Sequence, residues 1–172
     1  MKKVLISFIG NNDCLLSQGK EGAIISILRE REFDTLYILY NDTRYLQFAS
    51  EILLFCQKKF PHLTVRYQEA DSINPIDYNL VYPSMVAAVK AIQNEEGTRD
   101  VEYTISLTSG ARPCIPAGSC IVMSSMIKEK FVQSSKDTGI QVLYSSLSNE
   151  MVMSMLKIES INNECIPSHM EI

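Results

Sequence analysis

Short apolar runs alternate with longer stretches of helical periodicity along this chain, and that alternation constrains its fold more than any other feature. Val4 to Ile9 is an apolar run ended by Gly10-Asn11-Asn12-Asp13. From about Glu21 to Glu32 the positions Ile24, Ile25, Ile27 and Leu28 share one helical face. Thr35 to Tyr40 reads as a second strand, closed by Asn41-Asp42-Thr43. Asp42 or Thr43 suits the cap of a helix over roughly Arg44 to Lys59, which stops at Pro61. Leu63 to Gln68 is a third strand. A polar loop from Ala70 to Asp77, containing Asn74-Pro75, precedes a helix through Met85, Val86, Val89 and Ile92. Val101 to Leu107 is the fourth strand, and the apolar stretch from Pro113 to Ile127 is the helix that follows it. Phe131 to Ser134, Ile140 to Tyr144 and Met151 to Ile158 read as further strands. Strands and helices in this order call for an α/β fold: a Rossmann-like, mostly parallel sheet with helices on both faces. The mostly apolar character of Val4 to Ile9 fits a strand buried on both sides.

Composition sets outer limits. At 172 residues, 46% hydrophobic and 21% charged, the chain fits one soluble globular domain. No apolar run reaches membrane-spanning length. The basic start Met1-Lys2-Lys3 leads into a run too short for a signal peptide, with no small-residue cleavage site after it. A cytoplasmic location is the expectation. The five cysteines (Cys14, Cys56, Cys114, Cys120 and Cys165) have no CxxC spacing, and only His62 and His169 are available to join them in a metal site. Reduced thiols, no metal and no cofactor follow from that pattern. A net charge of −4 argues against direct DNA binding. A small anionic ligand needs only local positive potential and stays open.

The turn Thr108-Ser109-Gly110-Ala111-Arg112-Pro113 carries the chemistry. It joins a strand to a helix N-terminus, which presents unpaired N–H groups and the positive end of the helix dipole. Gly110 lets a ligand approach the backbone, Arg112 adds a fixed charge, and Pro113 suits the first helical turn. A phosphate or nucleotide fits such a turn, and so does a tight βα connection that holds nothing. In open α/β sheets the ligand crevice lies beyond the carboxyl ends of the strands. Here those ends are Gly10 to Asp13, Tyr40 to Thr43, Asn74-Pro75, Thr108 to Arg112 and Gln133 to Lys136, all rich in small, polar or basic residues. Three familiar chemistries are excluded. No GxGxxG follows the first strand, no GxxxxGK[ST] occurs, and no GxSxG elbow with a histidine partner is present. His62, beside Pro61, reads as a surface residue. Met123, Met126, Met151, Met153 and Met155 read as core or interface filler, and Lys128 and Lys130 as a solvated helix end.

Four segments taken in order, Phe8-Ile9-Gly10, Leu39-Tyr40-Asn41-Asp42-Thr43-Arg44, Thr108 to Pro113, and Phe131-Val132-Gln133-Ser134-Ser135, resemble CARF domains, the CRISPR-associated Rossmann folds. The pattern is most similar to the CARF-like sensor domain of the RNA-terminal-phosphate cyclase operon regulator. The resemblance covers about residues 1 to 145. It implies a homodimeric sensor of cyclic tetra- or hexa-adenylate in type III CRISPR antiviral defence. One ring would lie across the dimer and allosterically control an effector, fused or associated.

By that resemblance the ligand is held by Ile9, Gly10, Asn11 and Asn12 from the first strand end, and by Asn41, Asp42, Thr43 and Arg44 from the second. Thr108, Ser109, Gly110, Ala111 and Arg112 cradle phosphates or ribose. Gln133, Ser134 and Ser135 add hydrogen bonds, and Asn74 is a further candidate. The sensing domain is expected over residues 1–160, with 161–172 a tail or the start of a linker to an effector domain. Sensing rather than catalysis is the expectation. One alternative is a metal-independent ring nuclease in which a ribose 2′-hydroxyl attacks its neighbouring phosphate. Ser109, Thr108 and Arg112 would then be catalytic candidates, and Lys136 or Lys20 would assist. Another is a sensor of RNA ends bearing a terminal cyclic phosphate. Ring size, ligand cleavage and the effector's identity are left open by the sequence.

Overall fold

A computed structural model describes residues 1–70, 78–106, 108, 130–135 and 139–143. Six strands form one sheet: β1 (Lys2–Phe8), β2 (Thr35–Tyr40), β3 (Thr64–Glu69), β4 (Val101–Ser106), β5 (Lys130–Ser135) and β6 (Gly139–Leu143). Their spatial order is β3-β2-β1-β4-β5-β6. Every pairing from β3 to β5 is parallel, and only β6 runs antiparallel, against β5. Three α-helices are described: α1 (Ala23–Glu30), α2 (Leu46–Lys59) and α3 (Tyr78–Glu96). The chain thus has the α/β, Rossmann-like, mostly parallel sheet that its residue pattern calls for. Among the described residues no helix is long and apolar enough to cross a membrane.

The two faces of β1 explain why its sequence is apolar at successive positions. Val4, Ile6 and Phe8 lie in one core with Tyr37 of β2, Tyr103 of β4 and the α3 residues Met85 and Val89. Leu5 lies in the other, with Ile24 and Ile27 of α1, Leu36 and Ile38 of β2, and Ile52 of α2. Side chains alternate across a strand, so a strand covered by helices on both faces has no solvent side to keep polar. Edge strand β3 differs, because Thr64, Arg66 and Glu69 are exposed while Val65 and Tyr67 are half-buried.

Several boundaries differ from the sequence reading for local reasons. Helix α1 stops at Glu30 rather than Glu32. Arg31 turns to an extended backbone while its N–H still reaches the Ile27 carbonyl at 3.0 Å, which directs Phe33 into the core. Helix α2 begins at Leu46, two residues later than expected. Thr43–Tyr45 form a 3-10 turn first, capped by the Asp42 carboxylate, which accepts from the Arg44 N–H at 2.8 Å. Asp13–Gln18 form another 3-10 helix, in a stretch to which the residue pattern assigns no element. The helix over Pro113 to Ile127, the strand over Met151 to Ile158 and the Asn74-Pro75 turn lie outside the described residues.

A polar network fastens the amino-terminal end of the sheet. The Tyr37 hydroxyl donates to Glu95 Oε2 at 2.9 Å and to Glu96 Oε1 at 2.8 Å. Lys2 pairs with Glu96, and Arg66 pairs with Glu95. The Glu96 side chain is only 4% exposed. Burial alone pushes its carboxyl up, but hydrogen bonds from Lys2 and Tyr37, with the charges of Lys2 and Arg66, outweigh that and hold it below the usual range. Burial raises Tyr37 first, and its bond to Glu96 adds to the shift. Tyr103 is raised by burial and by the Glu96 charge.

The signs follow from linkage. A carboxyl held low in the fold contributes stability above its ordinary value of 4.5, and that contribution is lost as pH falls through the lowered value. A phenol held high contributes stability below its ordinary value of 10.0, lost as pH rises beyond it. Melting temperature is therefore expected to fall on both sides, and Tyr37→Phe is expected to flatten the alkaline limb in thermal melts across pH. An alkaline limb as steep in Tyr37→Phe as in the unaltered chain would show that this network does not set it.

Candidate ligand-binding crevice at the strand ends

The strand order reverses between β1 and β4. From β1 the chain winds out through β2 to β3, then returns to the other side of β1 to lay down β4. In open α/β sheets the crevice for a ligand lies at that reversal, beyond the carboxyl ends of the two strands. Ile6 stands opposite Ile105 and Phe8 opposite Leu39, so the loops leaving β1, β2 and β4 emerge side by side.

The loop after β1 contributes Ile9, Gly10, Asn11 and Asn12. Ile9 is in fact a core residue, 5% exposed, whose N–H donates to the Leu39 carbonyl at 3.0 Å. Its backbone, rather than its side chain, borders the crevice. Gly10 is half-buried, and Asn11 and Asn12 are exposed. Asp13 closes the loop and is only 3% exposed. Its Oδ2 accepts from the Gly10 N–H at 2.9 Å, while its own N–H donates to the Gly10 carbonyl at 2.9 Å. Its Oδ1 accepts from the Ile24 N–H at 3.1 Å, in the first turn of α1. That helix end has no cap from its own flanking residue, Gly22, so Asp13 supplies the missing acceptor from outside the helix. Gly22 is required there. A Cβ at that position would stand 2.2 Å from Asp13 Oδ1 and 2.6 Å from Asp13 Cα.

The loop after β2 presents Asn41 and Asp42, both half-buried, and Thr43 and Arg44, both exposed. Arg44 folds back on Asp42, with Nε donating to Oδ2 at 2.8 Å and a second guanidinium nitrogen 2.6 Å from the same oxygen. The Arg44 side-chain bond and then its backbone N–H hold the Asp42 carboxyl below its ordinary value, and the same pair raises Arg44. After β4, Thr108 is half-buried, and its N–H lies 3.4 Å from the buried Ser106 Oγ. Gln133, Ser134 and Ser135 end β5, in register with Gln141, Ile140 and Gly139 of β6. Ser109, Gly110, Ala111, Arg112, Asn74 and Lys136 lie outside the described residues. Lys20 is exposed, just past the 3-10 helix.

Two features of this region escape a sequence reading. Asp13 looks like any polar turn residue, and the one hint of its role is a glycine nine positions later. Cys14 lies beneath the same loop with Sγ 3.4 Å from the Gly10 carbonyl. Burial, then the charges of Asp13 and Glu51, push its thiol up. Burial pushes Cys56 up to about 12. Both are therefore protonated thiols near neutral pH, without the low pKa that a nucleophilic cysteine needs. Among the described residues no three His, Cys, Asp or Glu side chains gather as a metal ion would require.

No protein-family model matches the sequence, and no curated protein sequence matches it. Among solved structures the chain is similar to Enterococcus italicus Csm6 bound to cyclic hexa-2'-fluoro-hexa-dAMP, with a TM-score of 0.66 and 16% sequence identity. The match covers 98% of this chain and spans 40% of the Csm6 chain. Likeness at that identity is a likeness of fold. The chain shares the Rossmann-like α/β fold of that structure.

Proposed function

We propose that this chain is a cyclic oligoadenylate sensor domain that binds one ring of four or six adenylates across a homodimer at the strand-end crevice. The observation that carries the reading is the fold it shares, over nearly its whole length, with a structure holding a cyclic adenylate hexamer analogue. The strand-end loops supply what such a ligand needs. Exposed Asn11 and Asn12, half-buried Asn41 and Thr108, and the Arg44–Asp42 pair offer donors, acceptors and charge around the reversal point. A two-fold axis suits a ring of even symmetry, because identical groups from both chains meet identical ring units. Binding then alters the dimer and, through it, an effector. Activity on nucleic acid belongs to that effector, and the setting is cytoplasmic, type III CRISPR antiviral signalling.

Titration calorimetry with cyclic tetra- and hexa-adenylate tests this. One ring per two chains is the expected stoichiometry, with the ring recovered intact afterwards. Linear RNA ending in a cyclic phosphate is expected to compete poorly. Arg112→Ala is expected to weaken binding by about 1.5–3 kcal/mol, the worth of a charge-assisted hydrogen bond. Preference for linear ends over rings would move the reading to an RNA-end sensor, and shortened rings would move it to a ring nuclease.

A further inference from the structure

We propose that Asp13 is the positioning residue of the crevice: its carboxylate fills the N-terminal end of α1 and, from there, fixes the backbone of the Gly10–Asn12 wall. The consequence for the ligand rests on the cyclic oligoadenylate reading. The anchoring itself does not.

In nucleotide-binding Rossmann folds the first helix N-terminus after β1 is where a ligand phosphate sits, drawn by free N–H groups and the helix dipole. Here that place is taken from within the chain. One Asp13 oxygen accepts the Ile24 N–H of α1 and the other accepts the Gly10 N–H of the loop, while the Asp13 N–H returns a bond to the Gly10 carbonyl. One buried carboxylate thus ties the helix to the loop. The crowding at Gly22, where any Cβ would overlap Asp13, shows how closely the helix end is built around that side chain. Two conclusions follow. The phosphates of a bound ring are held by other strand-end groups, not by α1. The geometry of the Gly10–Asn12 wall is preset before ligand arrives, which spares the ordering cost that a free loop would add on binding.

The test uses the full chain, with amide hydrogen exchange and affinity for cyclic hexa-adenylate as readouts. Asp13→Asn keeps one acceptor oxygen and loses the other. It is expected to speed exchange at Gly10 and Ile24 by about tenfold or more and to weaken ring binding by a similar factor. Ile92→Val, at the far end of α3, lowers the melting temperature and is expected to leave both readouts unchanged. Asp13→Gly opens the space of the carboxylate. Millimolar sodium formate is expected to slow exchange and restore ring affinity in that variant while doing neither in the unaltered chain. Exchange at Gly10 and Ile24 that merely tracks melting temperature, as in Ile92→Val, overturns the proposal, and so does an absence of formate rescue in a folded Asp13→Gly chain. If the unaltered chain binds no ring while the exchange and formate results hold, the ligand reading fails and the anchoring role of Asp13 stands.

Discussion

Gly22→Ala is expected to lower folding stability by about 3 kcal/mol or more, a large effect for a single added methyl. The added Cβ would fall 2.2 Å from Asp13 Oδ1, 2.6 Å from its Cα and 2.8 Å from its Cγ. The Cα is backbone, so the collision cannot be relieved by a rotamer change alone. Either the start of α1 or the Asp13 backbone must move. Movement of either breaks the bonds that join Gly10, Asp13 and Ile24. Overpacking costs about 1–3 kcal/mol by itself, and each buried group left without its partner adds about 1–3 kcal/mol. Urea unfolding of the variant, with an unchanged m-value, measures the sum. A loss below about 1 kcal/mol would mean that Asp13 and α1 are not locked together.

Leu5→Ala is expected to cost about 2–5 kcal/mol. Leu5 is fully buried at the centre of the central strand, paired with Leu36 of β2 on one side and Thr104 of β4 on the other. Its side chain faces α1 and α2, where Ile24, Ile27 and Ile52 are also fully buried. Close packing from two helices leaves little room for the structure to collapse into the space left by the truncation, so the cavity adds to the lost transfer energy. Denaturant midpoints of the two chains give the difference, and a value under about 1 kcal/mol would place Leu5 in a far looser core than the one described.

The central strands were legible in the sequence because each is covered on both faces. Burial on both sides leaves an unbroken apolar run such as Leu36 to Leu39, which few other structures produce. The reversal of strand order was not written in any run, yet the alternation of strands and helices led to the same α/β architecture. The Asp13–Gln18 3-10 helix escaped for a physical reason. Its bonds close after three residues, so Leu15 and Leu16 fall outside the spacing that marks an α-helix. Asp13 itself escaped because its partners are backbone N–H groups, which carry no residue type, and one of them lies eleven positions away. The Tyr37–Glu96 contact is equally silent, joining β2 to the end of α3 across fifty-nine positions. Of the candidate site, the loops after β1 and β2 were read from their small and polar residues. What the sequence did not reveal is that Arg44 is already paired with Asp42.

Binding of a cyclic oligoadenylate is the central claim, and thermal melts with and without ligand reach it most directly. A ligand that prefers the folded chain raises its melting temperature in proportion to the logarithm of ligand concentration, so the shift must grow with each tenfold increase. Cyclic hexa- or tetra-adenylate is expected to produce that concentration-dependent rise, while linear oligoadenylate of equal length produces little. A melting temperature indifferent to every ring, at concentrations well above those of the protein, would contradict the account and leave the crevice without its ligand.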